Sequence, residues 1–185
     1  MLCLARNRIE TDRLMLRQPV LDDAKRMSEL GNTPAISHRL ATMPYPYGEA
    51  DAVEFIDRVA ANEAITAFAV ILKPLGNVLI GGAGYGVNEA GEMDFGYWLG
   101  TDYWGHGYAT EAGQAVLTHA FCIARVDVIE TDYQLDNLAS ARVLAKLGFR
   151  EAGHRKRHSL GAGREVETMM VQLTCDDWLD ARACA

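Results

Sequence analysis

The sequence predicts a mixed α/β fold with a partly parallel sheet, and three observations predict it. Apolar residues recur at every second position in some segments and at every third or fourth in others, so strands and helices share one chain. The β-rich runs "TAFAVIL", "NVLIGGAGYGV" and "EMDFGYWLG" lie together in the middle. The turn signals "KPLG" and "NEAG" between them mark an antiparallel meander. A long helix and a further strand come next, and a strand–helix–strand succession implies a right-handed crossover between parallel neighbours. The predicted order is β-α-α-β-β-β-α-β-α-β-β.

From the amino end, "RLMLRQP" sets Leu14 and Leu16 against polar neighbours and reads as a strand closed by Pro19. "LDDAKRMSELG" spaces Leu21, Ala24, Met27 and Leu30 along one helical face, with Gly31 as the stop. "MPYPYG" (Met43–Gly48) carries two prolines and is predicted irregular. "EADAVEFIDRVAANE" puts Ala52, Phe55, Ile56 and Val59 on one stripe, which makes a second helix. Gly96, inside the third β run, predicts a bulge or a close backbone approach. Thr110 to Arg125 reads as a long amphipathic helix with Ala112, Val116, His119 and Ala120 facing in. "VDVIETDY" is a strand, and "NLASARVLAKLG" a helix ended by Gly148. "FREAGHRKRHSLG" and "REVETMMVQL" form a final hairpin around "GAG". The tail "TCDDWLDARACA" packs Trp178 and then frays.

At 185 residues the chain is expected to be one domain, residues 1–185, with a core of its own. Formal charge is −7, from 18 basic and 25 acidic residues. That argues against nucleic acid as the main partner, because neutralising phosphates needs a basic surface. Cys3, Cys122, Cys175 and Cys184 form no CxxC pair and no zinc spacing, so no metal is expected and the thiols read as idle in a reducing cytoplasm. "MLCLARNR" is charged too soon for a signal peptide, and the longest apolar run, "AFAVIL" (Ala67–Leu72), is far below a membrane span. The expectation is a soluble cytoplasmic protein with no membrane partner.

The stretch that carries chemistry is "YWGHGYATEA", Tyr103 to Ala112, where glycines flank His106 just ahead of a helix. Such a loop leaves backbone N–H groups free for a phosphate, and the helix dipole adds to them. Three owners compete. A nucleoside triphosphate loop needs GxxxxGK[ST], which is absent. A dinucleotide loop needs GxGxxG, and here Thr110 stands where the third glycine belongs. A coenzyme A pyrophosphate loop would use the amides of Trp104 to Thr110. Glycines that merely turn the chain are a fourth, structural reading.

Four stretches, in order, resemble the GNAT acetyltransferases, and in particular the RimJ/RimL-like branch of ribosomal-protein N-terminal acetyltransferases. They are "IETDRLMLRQPVLDDA", "MPYPYGEADAVEFI", "MDFGYWLGTDYWGHGYATEA" and "DNLASARVLAKLGFREAG". The likeness runs from about Ile9 to Trp178. It implies the GNAT acyl-CoA N-acyltransferase fold: a central mixed, mostly antiparallel sheet with a V-shaped splay between two parallel strands, flanked by helices. It also implies acetyl transfer from acetyl-CoA to an amine, with an amine acceptor as partner and a homodimer left open. On the family pattern the pyrophosphate loop is Trp104, Gly105, His106, Gly107, Tyr108 and Ala109, with Thr110 following. The family pattern opens on Gln or Arg; Trp104 stands there, as is usual in this branch. Tyr97, Trp98 and Leu99 would pair with the pantetheine arm as if it were a strand, with a backbone N–H near Trp98 facing the acetyl oxygen.

Acetyl transfer to an amine requires a proton acceptor for the ammonium, a donor for the developing oxyanion, and in some cases a proton for the thiolate. Asp94 is the first candidate base, where family members often carry a glutamate; the competing reading is a hydrogen bond to a neighbouring strand. His158 is the second, because imidazole titrates near neutrality. A carboxylate has been suggested in that neighbourhood of the branch, and "KRHSLG" has none. The tyrosine that many relatives place seven residues after the helix's Asn is Leu144 here, counting from Asn137. Ser140 is the substitute proton donor by analogy, or else a first-turn residue with Asn137 as N-cap. Asn137 would also border the cosubstrate. His106 reads as an exposed bystander and Glu111 as serving the helix dipole. The "HRKRH" run (His154–His158) would grip a 3′-phosphate or an acidic partner, or blunt a strand edge. Tyr45, Tyr47 and Tyr108 would border the acceptor cleft. A non-catalytic acyl-CoA sensor and a nicotinamide enzyme are the rival functions.

Overall fold

The computed structural model describes residues 8–88 and 90–183. Glu89 of the "NEAG" turn, residues 1–7 with Cys3, and residues 184–185, where the tail was expected to fray, lie outside the described residues. The strands are β1 (Arg8–Glu10), β2 (Leu14–Arg17), β3 (Ile65–Leu72), β4 (Val78–Val87), β5 (Met93–Leu99), β6 (Val128–Gln134), β7 (Arg150–Ser159) and β8 (Arg164–Thr174). The helices are α1 (Ala24–Gly31), α2 (Pro34–Ser37), α3 (Glu49–Ala61), α4 (Tyr108–Thr118), α5 (Leu138–Leu147) and α6 (Cys175–Ala183). The sheet has eight strands in the order β1-β2-β3-β4-β5-β6-β8-β7. Every pairing is antiparallel except β5–β6, which the α4 crossover makes parallel.

The unbroken apolar run of β3 reflects burial on both faces. Phe68, Val70 and Leu72 join the core beneath α4 and α5, together with Leu14, Leu16, Phe95, Val116 and Ile129. Ala69 and Ile71 join a second core beneath α1 and α3, with Met27, Tyr47, Ala52 and Ile56. Trp178 of α6 is 1% exposed and packs on Phe121, with the ring centroids 5.8 Å apart. The meander, the irregular Met43–Gly48 segment and the final hairpin all stand where the sequence places them.

Several expectations need correction. The short strand β1 and the one-turn α2 were not predicted. Leu21 does not lie on the α1 face and is 57% exposed. Asp23 accepts from the Val20 amide (2.9 Å) and from both Arg17 Nη atoms (2.6 and 2.7 Å), so Leu21–Asp23 form a 3-10 turn and α1 starts only at Ala24. The long helix starts at Tyr108 and widens into a π-turn over His119–Ile123.

Gly96 carries no bulge. The β4–β5 register runs unbroken from Gly81↔Leu99 to Val87↔Met93, and the space beside Gly96 is open. The irregularity lies between Val70 and Ile71, where β3 meets β4. The close approach belongs to Gly81, whose added Cβ would stand 2.1 Å from the Trp98 carbonyl oxygen.

Candidate active site

β5 and β6 pair at one position, Asp94↔Glu130. Thr131 Oγ1 donates to the Phe95 carbonyl at 2.7 Å, and no further pairing joins the two strands beyond it. One edge of β5 is therefore open from Gly96 to the Leu99 amide, and the Leu99 carbonyl beyond it is taken by Trp104 Nε1. In an antiparallel strand successive peptide groups point to opposite edges. The Phe95 carbonyl faces β6, while the Gly100 amide donates to Ile80 of β4 at 2.9 Å. The peptide groups of Tyr97 and Leu99 accordingly face the gap. Those of Trp98 face β4, as the approach of its carbonyl to Gly81 shows. A gap-facing N–H near Trp98 is therefore that of Tyr97 or Leu99, not that of Trp98 itself.

Alternation also divides the side chains. Phe95, Tyr97 and Leu99 lie on the α4/α5 face, and Trp98 packs on the α1/α3 face. Asp94, in phase with Trp98, opens onto that second face. There Asp94 Oδ2 accepts from Arg157 Nη2 at 3.3 Å, while its buried Oδ1 has no partner among the described residues. Arg157 Nη1 also donates to Asp132 Oδ2 at 3.0 Å, and Arg155 Nε donates to the same oxygen at 2.7 Å. Burial pushes the Asp94 carboxyl above its ordinary range, and the Arg157 charge only partly offsets this.

On the opposite face the Tyr97 hydroxyl and Ser140 Oγ stand 3.0 Å apart. Burial raises the Tyr97 phenol, so the hydroxyl keeps its proton. Asn137 caps α5, its Oδ1 accepting from the Ser140 amide at 3.2 Å. Tyr97 as partner of Ser140 had no sequence signal, since 43 residues separate them.

His158 stands apart from this group. It is exposed and one residue out of phase with Arg157, so it points to the other face of β7. The "HRKRH" run divides: Arg155 and Arg157 turn toward Asp132 and Asp94, while His154, Lys156 and His158 are exposed on the other side. Tyr47 is buried, which pushes its phenol up to about 12, and Tyr45 is exposed and edge-on to His38.

The glycine loop meets the same end of β5. Gly105 (φ 78°) and Gly107 (φ 81°) are left-handed, a conformation that favours glycine. Trp104 Nε1 donates to the Leu99 carbonyl at 2.8 Å and ties the loop to the open strand. The first helical amide to find a carbonyl is that of Glu111, at 3.1 Å from Gly107. The amides of Gly105, His106, Gly107, Tyr108, Ala109 and Thr110 have no acceptor among the described residues, and Gly107 brings no capping side chain. His106 is exposed, with its ring edge-on to Tyr108.

Free amides at a helix start beside an open strand edge suit a ligand that carries phosphates and an extended arm. The sequence model of the family described as Acetyltransferase (GNAT) domain matches residues 13–150, and the chain belongs to that family. The protein is an N-acetyltransferase, and acetyl-CoA is its cosubstrate. An uncharacterized N-acetyltransferase, p20, of Bacillus licheniformis is 28% identical over 167 residues, covering 88% of this chain and 93% of that protein. The structure of Mycobacterium smegmatis RimJ in complex with CoA-disulfide is similar in fold, with a TM-score of 0.74 and 22% identity, covering 91% of this chain and 88% of that one. The microcin C7 self-immunity acetyltransferase MccE, in complex with acetyl-CoA and AMP, gives a TM-score of 0.78 at 19% identity, covering 92% and 98%. Among the described residues no cluster of His, Cys, Asp and Glu is placed to hold a metal, and no helix is long and apolar enough to cross a membrane.

Proposed function

We propose that the chain is a single-domain, cytoplasmic enzyme of the RimJ/RimL-like branch that acetylates a primary amine by direct attack in a ternary complex. The amine is the α-amine of a protein N-terminus or that of a small molecule. One observation carries the mechanism: Asp94 and the Tyr97–Ser140 pair lie on opposite faces of the sheet at the mouth of the β5/β6 gap. A thioester reaching that gap is open to an amine from one side and to a proton donor from the other.

Acetyl-CoA supplies the activated acetyl group. The amides of Gly105 to Thr110 serve its pyrophosphate, whereas that of Trp104, expected to join them, is held by the Thr101 carbonyl at 3.2 Å; the Tyr97 peptide groups and the Leu99 N–H pair with its arm. Asn137 orders the start of α5 beside that arm. Asp94 takes the proton of the incoming ammonium, directly or through a water; its raised pKa brings it closer to that task than an exposed carboxylate. The Tyr97 or Leu99 N–H donates to the acetyl oxygen as charge develops there. Ser140 Oγ, backed by the Tyr97 hydroxyl, returns a proton to the thiolate side. His158, on the far side of β7, and His106, in the exposed loop, take no chemical part.

The test has two stages. Thermal shift should show stabilisation by coenzyme A and none by NAD. Thiol release from acetyl-CoA should then appear with at least one amine among peptides, amino acids, polyamines and aminoglycosides. No shift with coenzyme A would sink the proposal. A shift without turnover on any amine would point to an acyl-CoA sensor instead.

A further inference from the structure

The glycine loop is held from outside by a residue far away in sequence. Arg13 lies in the turn between β1 and β2. Its backbone amide donates to Glu111 Oε1 at 2.9 Å and its Nε to Glu111 Oε2 at 2.7 Å. Thr11 Oγ1 completes the seat by donating to Glu111 Oε1 at 2.5 Å. So placed, Arg13 Nη1 donates to the His106 carbonyl at 2.9 Å, and the guanidinium lies over the Tyr108 ring, 4.6 Å from its centroid. Glu111 is therefore the anchor of this brace, more than a partner of the helix dipole. Burial raises the Glu111 carboxyl, but the bonds from Thr11 and Arg13 outweigh it and hold the group below its ordinary value.

A peptide unit is planar and trans, so its C=O and the following N–H point in opposite directions. Fixing the His106 carbonyl toward Arg13 therefore fixes the Gly107 N–H away from it. Gly107 is left-handed and has no side chain of its own to set that direction. We propose that Arg13 is a positioning residue of the cosubstrate loop: by holding the His106 carbonyl it aims the Gly107 amide at the phosphates, with Glu111 and Thr11 fixing Arg13 in turn. The inference rests on the acetyl-CoA reading of the loop. The Glu111 carboxylate also stands in the first turn of α4, where it would repel a phosphate if unpaired. The geometric role and this charge role are separable by mutation.

The experiment compares wild type with Arg13→Met, which keeps an aliphatic stem over Tyr108 but removes the bond to His106. A second variant, Arg13→Met/Glu111→Gln, removes the carboxylate as well. The Kd for acetyl-CoA should weaken about tenfold in both, the order expected for one misaimed amide among several. The KM for S-acetylpantetheine, which has the arm but no phosphate, should stay within about twofold of wild type. Recovery of acetyl-CoA binding in the double variant would assign the effect to charge and overturn the proposal. So would an equal loss with S-acetylpantetheine, which would mean general loosening of the fold. If Arg13→Met does not fold, Arg13→Gln carries the same comparison. Wild-type protein that fails to bind acetyl-CoA would refute the cosubstrate reading instead, and is read first.

Discussion

Replacing Asp94 by Asn removes the proposed base with almost no change of shape. Arg157 keeps its Asp132 partner at 3.0 Å, so no cation is left unpaired. Oδ1, which has no partner among the described residues, is no longer a buried anionic oxygen, and burial, which raises the Asp94 pKa, makes the charge costly there. The fold should therefore hold, with a Tm equal to wild type or a few degrees higher. Catalysis should not hold. A positioned general base contributes about 10²–10⁴-fold, or roughly 3–5 kcal/mol of barrier. The assay is steady-state thiol release with the best amine of the panel, read across pH. In wild type, kcat/KM should fall as pH drops through the Asp94 pKa, which lies above the ordinary carboxylate value. In Asp94→Asn that acid limb should vanish and the plateau should drop at least about a hundredfold. A variant whose kcat/KM stays within about twofold of wild type, acid limb included, would refute the assignment.

The Tyr97–Ser140 pair makes a double-mutant cycle. Ser140→Ala should lower kcat more than the acetyl-CoA Kd, Tyr97→Phe less so, and the double variant should match Ser140→Ala alone; additive losses would separate the two side chains. His119 is buried, its Nδ1 2.9 Å from the Tyr85 hydroxyl, and burial lowers its pKa. The unfolded chain thus takes up a proton that the fold resists. The stabilising effect is present above histidine's ordinary pKa of about 6.5 and is lost as pH falls through the lower folded value. Urea midpoints between about pH 7 and 5 should consequently fall more in wild type than in His119→Gln, and parallel slopes would contradict this. Gly81→Ala puts a Cβ 2.1 Å from the Trp98 carbonyl and must move β4 away from β5. A loss of about 3 kcal/mol in chemical denaturation is expected, and an unchanged midpoint would mean that the strands shift freely.

What could be read from the sequence was local. Gly105 and Gly107 announce a left-handed turn wherever they stand, and the helix period after Tyr108 begins beside them, so the loop was visible without its neighbours. The three-strand meander was legible because turn residues separate its runs. The opposing faces of the site were harder. In "HRKRH" the side that turns inward depends on strand phase, and the β7–β8 register shifts between Glu151 and Gly153. A slip of one residue exchanges the two faces, so Arg157 and His158 trade places on a detail with no signature of its own. The Arg13–Glu111 brace spans 98 residues and the Tyr97–Ser140 bond 43, distances at which only the sheet order decides what meets. Gly96 misled for a related reason: the crowding that excludes a Cβ falls on Gly81 across the ladder.

Direct attack at the β5/β6 gap sets the base on one face and the proton donor on the other. Rapid mixing of the enzyme with acetyl-CoA, first alone and then with an accepted amine, tests it most directly. Direct attack gives no burst of free coenzyme A and no acetylated protein until the amine is added, then coenzyme A and acetyl-amine in equal amounts. A burst of coenzyme A stoichiometric with enzyme in the absence of amine, with the acetyl group found on a side chain, would contradict it.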